Sequence, residues 1–209
     1  MSVYIRMHED LCTVSLDTTG AHLHQRGQLK LRGQAPLRET TAAFCLRKLI
    51  GQRSAAEIKT VSLIDPMAGS GTFLSEAQSF YQLHEHRDFS FFKFKNCPRV
   101  LREKQWQQNY LPMAQGFQNL FGFDQDAEMV AIAQKNLLQI AFSQADLFLM
   151  EDLSPRLPFW LILNPPYGER IKTSFAPNEL LSQLVRVFRP KRVGILWGPQ
   201  QIAHAPKVL

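Results

Sequence analysis

Asn164-Pro165-Pro166-Tyr167-Gly168 follow the apolar run Leu157–Leu163, and they carry the groups needed to present an amino group to an electrophile. An exocyclic base nitrogen is a poor nucleophile, because its lone pair is delocalised into the ring. A side-chain carbonyl at Asn164 and a backbone carbonyl at Pro165 can each accept one of its N–H bonds. That localises the lone pair and fixes its direction. Pro165 and Pro166 have no backbone N–H and a fixed φ, so the loop holds its carbonyls rigidly. Tyr167 offers a flat face on which a base can stack. Asn164, Pro165, Pro166 and Tyr167 are therefore the candidate catalytic residues. The competing reading is a proline-rich turn that only closes a strand, since Asn-Pro and Pro-Pro pairs punctuate turns.

A second loop, Asp65-Pro66-Met67-Ala68-Gly69-Ser70-Gly71-Thr72, joins an apolar run to a helical pattern. Gly69 and Gly71 lack Cβ, so a ligand can approach the backbone closely. The helix start at Thr72 leaves free N–H groups for a carboxylate. No Gly-Lys-Ser/Thr follows, so the loop is not of the Walker type, and Leu74 stands where a dinucleotide fingerprint needs glycine. Asp124 ends the next apolar run and can accept both hydroxyls of a ribose; its neighbour Asp126 fits a helix N-cap. Asp146 ends the run after that and can accept from an adenine amino group, or it is a solvated strand end.

These residues need a scaffold that brings loop ends together. Val3–His8 and Cys12–Asp17 alternate about His8-Glu9-Asp10, which predicts a β-hairpin. His22 to Arg38 holds Arg26, Lys30, Arg32 and Arg38 but no acid. It reads as a solvated connector or as a basic strap near phosphate or cofactor. Pro36 suits the first turn of a helix running to about Leu49. Strands are expected at Val61–Ile64, Leu120–Phe123, Phe142–Leu147, Phe159–Leu163 and Val193–Trp197. Helices are expected at about Thr72–Leu83, Ala127–Ala141 and Glu179–Phe188. That alternation predicts an α/β, doubly wound, mostly parallel Rossmann-like sheet with an N-terminal β-hairpin extension. Right-handed crossovers would place every candidate motif at one sheet edge. The expected domains are 1–35, the hairpin and basic linker, and 36–209, the site-bearing domain with an insertion at 84–118. In that insertion Phe89, Phe91, Phe92 and Phe94 interleave with Lys93, Lys95, Arg99, Arg102 and Lys104. This is either a stacking, phosphate-neutralising surface or a small satellite core with a charged face.

The chain has 209 residues, is 45% hydrophobic and carries a formal net charge of +6. Its isoelectric point near 9.4 favours an anionic partner, nucleic acid first. Cys12, Cys45 and Cys97 are far apart and odd in number, so neither a disulfide framework nor a zinc site is indicated. His8, His22, His24, His84, His86 and His204 form no ligand set, and no metal is expected. No apolar run approaches the roughly 18–20 residues of a membrane span. With no signal peptide visible, a cytoplasmic protein with reduced thiols is expected.

Leu63-Ile64-Asp65-Pro66-Met67-Ala68-Gly69-Ser70-Gly71-Thr72-Phe73-Leu74 and Asn164-Pro165-Pro166-Tyr167-Gly168-Glu169-Arg170 resemble the THUMP-associated, UPF0020-type RNA guanine-N2 methyltransferases, which use S-adenosylmethionine. Ser15-Leu16-Asp17, Leu23-His24-Gln25-Arg26-Gly27, Ala35-Pro36-Leu37-Arg38-Glu39-Thr40 and Phe89–Phe94 fit the same family. Ala68 stands where cysteine is frequent. The resemblance implies a cofactor set of Pro36, Thr40, Asp65, Pro66, Met67, Ala68, Gly69, Gly71, Thr72, Asp124, Gln125, Asp146, Leu147 and Asn164. In it Asp65, Gly69 and Gly71 line the methionine end, Asp124 holds the ribose and Asp146 the adenine. Asn164 to Tyr167 would hold the target amine, and Pro36–Thr40 would close over the cofactor. The implied reaction is methyl transfer to the exocyclic N2 of guanine in structured RNA, ribosomal or transfer. Adenine-N6 transfer on DNA or RNA, and a non-catalytic cofactor- or RNA-binding remnant, are the alternatives. The family carries a THUMP domain upstream of this region and a helix and β-hairpin downstream. Specific RNA recognition is therefore expected to need a THUMP-like domain or partner, and the last strand is expected near a sheet edge.

Overall fold

The computed structural model describes residues 2–20, 31, 37–80, 89–99, 116–153, 158–166 and 175–198. The chain divides into two compact units, Met1–Arg26 with Gln82–Met113, and Gly27–Tyr81 with Ala114–Leu209.

In the first unit β1 (Val3–His8) pairs antiparallel with β2 (Leu11–Leu16), Val3 opposite Leu16 and His8 opposite Leu11. Glu9 and Asp10 both have positive φ, 43° and 33°. Such a two-residue turn matches the twist of the flanking strands. The Phe91 N–H donates to the Thr18 carbonyl at 3.1 Å, which fastens the hairpin's exit to a 3-10 turn at Ser90–Lys93. Phe89, Phe91 and Phe92 pack on one another with centroids 4.4–6.1 Å apart. The rings are partly buried; Arg102 and Lys104 lie outside the described residues.

The second unit holds a five-stranded, all-parallel sheet in the order β5-β4-β3-β6-β7. Its strands are β3 (Ser62–Asp65), β4 (Leu120–Asp124), β5 (Ala141–Gln144), β6 (Phe159–Leu163) and β7 (Arg192–Ile195). The helices are α1 (Glu39–Ile50), α2 (Ala55–Ile58), α3 (Thr72–Ser79), α4 (Ala127–Asn136) and α5 (Pro177–Phe188). A parallel sheet is covered on both faces, so its central strands are apolar throughout rather than alternating. In β6, Trp160 and Ile162 join Leu63 in a cluster with α1, α3 and α4. Leu161 and Leu163 join Ile64 in a second cluster with Leu180, Leu184, Val187 and Phe188 of α5. Each fully buried Leu contributes about 1.5–3 kcal/mol. Among the described residues β7 forms one sheet edge, and no helix is long and apolar enough to cross a membrane.

The expected doubly wound sheet with an N-terminal hairpin is therefore present, with shifts in several elements; β7 ends at Ile195 instead of Trp197, and α5 starts at Pro177 instead of Glu179. α1 starts at Glu39, because Arg38 is extended (φ −71°, ψ 133°) and serves as its N-cap. α4 ends at Asn136 instead of Ala141: Leu137 leaves helical geometry (φ −134°, ψ 71°), and Ala141 pairs with Phe121 as the first residue of β5. That strand stops at Gln144, because residues 146–150 turn back on the Asp146 carbonyl, which accepts from Leu149 and Met150. The short α2 was not anticipated, although Ser54 and Glu57 form a reciprocal capping box that marks its start.

Candidate active site

The parallel order places the C-ends of β4, β3 and β6 side by side; β4 and β3 end in Asp124 and Asp65, and Asn164 directly follows β6. The loop after β3 is fastened to β4. The Ala68 N–H donates to the Phe123 carbonyl at 2.8 Å, and the Gly69 N–H to Asp124 Oδ2 at 2.7 Å. Asp124 Oδ1 accepts from the Asp126 N–H at 3.0 Å. A carboxylate has about four acceptor positions, so each oxygen of Asp124 retains capacity for a ligand hydroxyl. Asp126 caps α4 by accepting from the Glu128 N–H at 2.8 Å, as its sequence position predicts.

The two glycines of the loop serve different ends. Gly69 has φ +52°, and a Cβ built there meets nothing within 4 Å. Its bareness leaves open space on the loop, the room a ligand needs. Gly71, the N-cap of α3 with φ +87°, is crowded instead: a Cβ would lie 2.9 Å from Leu137 and 3.2 Å from Phe142. Glycine there lets the helix start settle against α4 and β5. Thr72 and Ala68 are buried behind it, Pro66 is buried, and Met67 is partly buried against the second core cluster.

Asp65 is 1% exposed. Its Oδ1 accepts from the Met67 N–H at 3.1 Å. Burial pushes its carboxyl well above the usual carboxylate range; the Met67 bond opposes this, and the neighbouring Asp124 charge adds to it. A buried acid this poorly solvated is a natural partner for a cationic ligand group.

At the end of β6, Pro165 is buried and Pro166 partly buried. Asn164 Oδ1 is fully buried and has no hydrogen-bond partner among the described residues. Leaving a buried acceptor unpaired costs about 1–3 kcal/mol, so this oxygen is poised for a donor from outside the chain. The backbone beneath it is fixed, since the Leu163 carbonyl accepts from Leu196 of the β7 edge at 3.0 Å.

Asp146 Oδ1 accepts from the Phe148 N–H at 2.9 Å, closing the turn after β5. Helix α5 holds that turn from outside: Gln183 Nε2 donates to the Leu147 carbonyl and Arg186 to the Met150 carbonyl. Their three-residue spacing puts both on one helical face, a signal the sequence reading passed over. Leu147 is buried, Gln125 is exposed with its carbonyl accepting from Gln144 at 3.1 Å, and Thr40 is exposed on the first turn of α1. Pro36 and Tyr167 lie outside the described residues, as do all the histidines except the exposed His8.

Residues 26–196 match the UPF0020 family, the RMKL-like methyltransferase domain. The chain is 33% identical to the ribosomal RNA large subunit methyltransferase K/L of Psychromonas ingrahamii, over 98% of its own length and 28% of that protein's. Among solved structures it is similar to SMU.472, a candidate methyltransferase complexed with SAH: 27% identity, TM-score 0.67, 91% of this chain and 52% of that one. A possible methylase of Clostridium difficile matches at 27% identity and TM-score 0.64, over 92% and 52% of the two chains. A predicted N6-adenine-specific DNA methylase of Listeria monocytogenes shares the fold, with TM-score 0.69 at 24% identity over 97% and 55% of the two chains. The chain thus spans little more than a quarter of its curated relative and about half of these solved chains. With the family match covering the sheet, the glycine loop and the Asn164 loop together, the chain belongs to the RMKL-like methyltransferase domain family.

Proposed function

We propose that this chain transfers a methyl group from S-adenosylmethionine to the exocyclic N2 amine of guanine in structured RNA. One observation carries the reading: a buried carbonyl oxygen at Asn164, without a partner among the described residues, just after the strand that neighbours β3 with Asp65 and its glycine loop. The SAH bound in SMU.472 supports the cofactor class, and the large-subunit RNA in the name of the Psychromonas relative supports the substrate class.

S-adenosylmethionine supplies an electrophilic methyl group on a cationic sulfur. The chain's own residues do the rest. Asp65 would face the cofactor's cationic end, the open space at Gly69 would let it approach the loop backbone, and Asp124 would accept from its ribose. Asn164 Oδ1 and the Pro165 carbonyl accept the two N–H bonds of the guanine amine and turn its lone pair toward the methyl. The nitrogen lone pair forms the new N–C bond while the C–S pair leaves with sulfur. The nitrogen then sheds its extra proton along the Asn164 or Pro165 hydrogen bond to water, so no strong base is needed. Alignment and fixed dipoles supply much of the rate, and the base must leave its stack to enter. Specific RNA recognition rests on a THUMP-like domain or partner, acting in the cytoplasm.

The test is nucleoside mass spectrometry of unmodified ribosomal and transfer RNA incubated with this chain and S-adenosylmethionine. N2-methylguanosine that disappears with Asn164→Ala is the expected product. N6-methyladenosine instead would overturn the guanine assignment, and absence of any methylated nucleoside on partly assembled ribosomal substrate would overturn the reaction.

A further inference from the structure

The end of α4 meets the glycine loop in two ways that the proposed reaction does not use. Leu137 Cδ1 occupies the space where Gly71 would carry a Cβ. One residue earlier, Asn136 Nδ2 donates to the Ser70 carbonyl at 3.4 Å, a long bond to a loop residue that is 7% exposed. The same carboxamide grips the backbone of Leu31, 105 residues away: its Oδ1 accepts from the Leu31 N–H at 3.1 Å, and its Nδ2 donates to the Leu31 carbonyl at 2.9 Å. An amide side chain that pairs with both the N–H and the C=O of one residue reproduces the bonding of a strand neighbour, and among side chains only Asn and Gln carry both groups. α4 ends at Asn136, where the helix stops and the side chain is free to reach sideways.

We propose that Asn136 is a positioning residue for the cofactor loop, clasping the Leu31 backbone to the Ser70 carbonyl so that Leu31 and the Asp65–Thr72 loop are held together. The proposal rests on the reading that this loop binds S-adenosylmethionine. A ligand seated on the loop fixes Ser70, Ser70 fixes Asn136, and Asn136 fixes Leu31, so by linkage the Leu31 clasp strengthens ligand binding as much as the ligand strengthens the clasp. The effect falls on cofactor affinity, because the clasp ends on the Ser70 carbonyl of the loop itself.

Amide exchange of the unmodified chain gives the first test: SAH should slow exchange at Leu31 about tenfold, and unchanged exchange overturns the coupling. Asn136→Ala should then raise the SAH Kd and the KM for S-adenosylmethionine about tenfold, with kcat within twofold. Asn136→Asp has nearly the same shape but turns the donor toward two carbonyl oxygens into an acceptor, so it should fail as fully as Asn136→Ala. Gln139→Ala, which removes a 3.2 Å bond to Gln78 beyond the end of the same helix, should leave both constants unchanged. A lowered Tm with wild-type SAH affinity in the Asn136 variants would reduce the residue to a structural clasp and overturn the proposal. Asp124→Ala separates the two readings. If it loses SAH while Asn136→Ala does not, the proposal alone fails. If it binds SAH as the wild type does, the loop reading fails and takes the proposal with it.

Discussion

Replacing Asn164 by Leu should stabilise the resting chain while abolishing most of its turnover. In the folded protein Asn164 Oδ1 is buried with no hydrogen-bond partner among the described residues. Such an oxygen forgoes its water bonds at a cost of about 1–3 kcal/mol, a penalty an apolar group of similar shape does not incur. For a chain of this size each kcal/mol moves Tm by about 2–4 °C. Asn164→Leu should therefore melt roughly 2–12 °C higher than the wild type in the absence of ligand. In the proposed reaction the same oxygen orients the amine, and losing one preorganised electrostatic contact should lower turnover by about 10²–10³-fold. The assay pairs differential scanning calorimetry without cofactor against single-turnover methylation at saturating S-adenosylmethionine. SAH affinity serves as control and should change little, because in the proposed reaction Asn164 Oδ1 accepts from the base. A variant that melts below the wild type would show that Oδ1 has a structural partner, and turnover within tenfold of wild type would refute the amine-orienting role.

Three further outcomes follow from the site. The folded pKa of Asp65 is raised by burial; the apo fold is thus favoured by this group below the unfolded value of about 3.9, and that stability is lost as pH rises through the folded pKa. Asp65→Asn, which keeps an acceptor for Met67, should match the wild-type Tm in acid and exceed it increasingly toward neutral pH, while losing SAH; a constant Tm difference across pH would refute the buried charge. Gly71→Ala should lower Tm more than Gly69→Ala, because its Cβ meets Leu137 and Phe142 whereas that of Gly69 meets nothing; Gly69→Ala should cost more in SAH affinity, and calorimetry showing the reverse order would exchange the two roles. RNA binding by these 209 residues, through Lys93, Lys95, Arg99 and the basic segment, should be weak and fall steeply with salt; filter binding that stays tight and selective at high salt would contradict it.

The local chemistry of this protein is written in short stretches of sequence, and those were legible. The Asp65–Thr72 loop, the Asn164-Pro165-Pro166 turn and the wholly apolar Phe159–Leu163 strand announce themselves because each depends on residue types within a few positions of one another. Asp126 as a cap and the hairpin about Glu9-Asp10 were readable for the same reason. The end of α4 was not. Leu137 and Ile140 continue the apolar spacing past Asn136, and only their burial against Phe142 and the glycine loop shows that they belong to a turn.

What the tertiary structure alone decided lies between distant residues. Gly71 and Gly69 look alike in sequence, yet one is bare because Leu137 and Phe142 fill its space and the other because nothing does. The same holds for Gln183 and Arg186 steadying the turn after Asp146, and for Asn136 gripping Leu31 across 105 positions. Asn164 could be read as an acceptor from its neighbours, but that its oxygen is buried and, among the described residues, unpaired depends on the packing of β6 between β3 and β7. Periodicity and turn chemistry record what a residue does to its own backbone. A single hydrogen bond or filled void between remote segments leaves no repeat to read, because any of several residue types at either end could have made it.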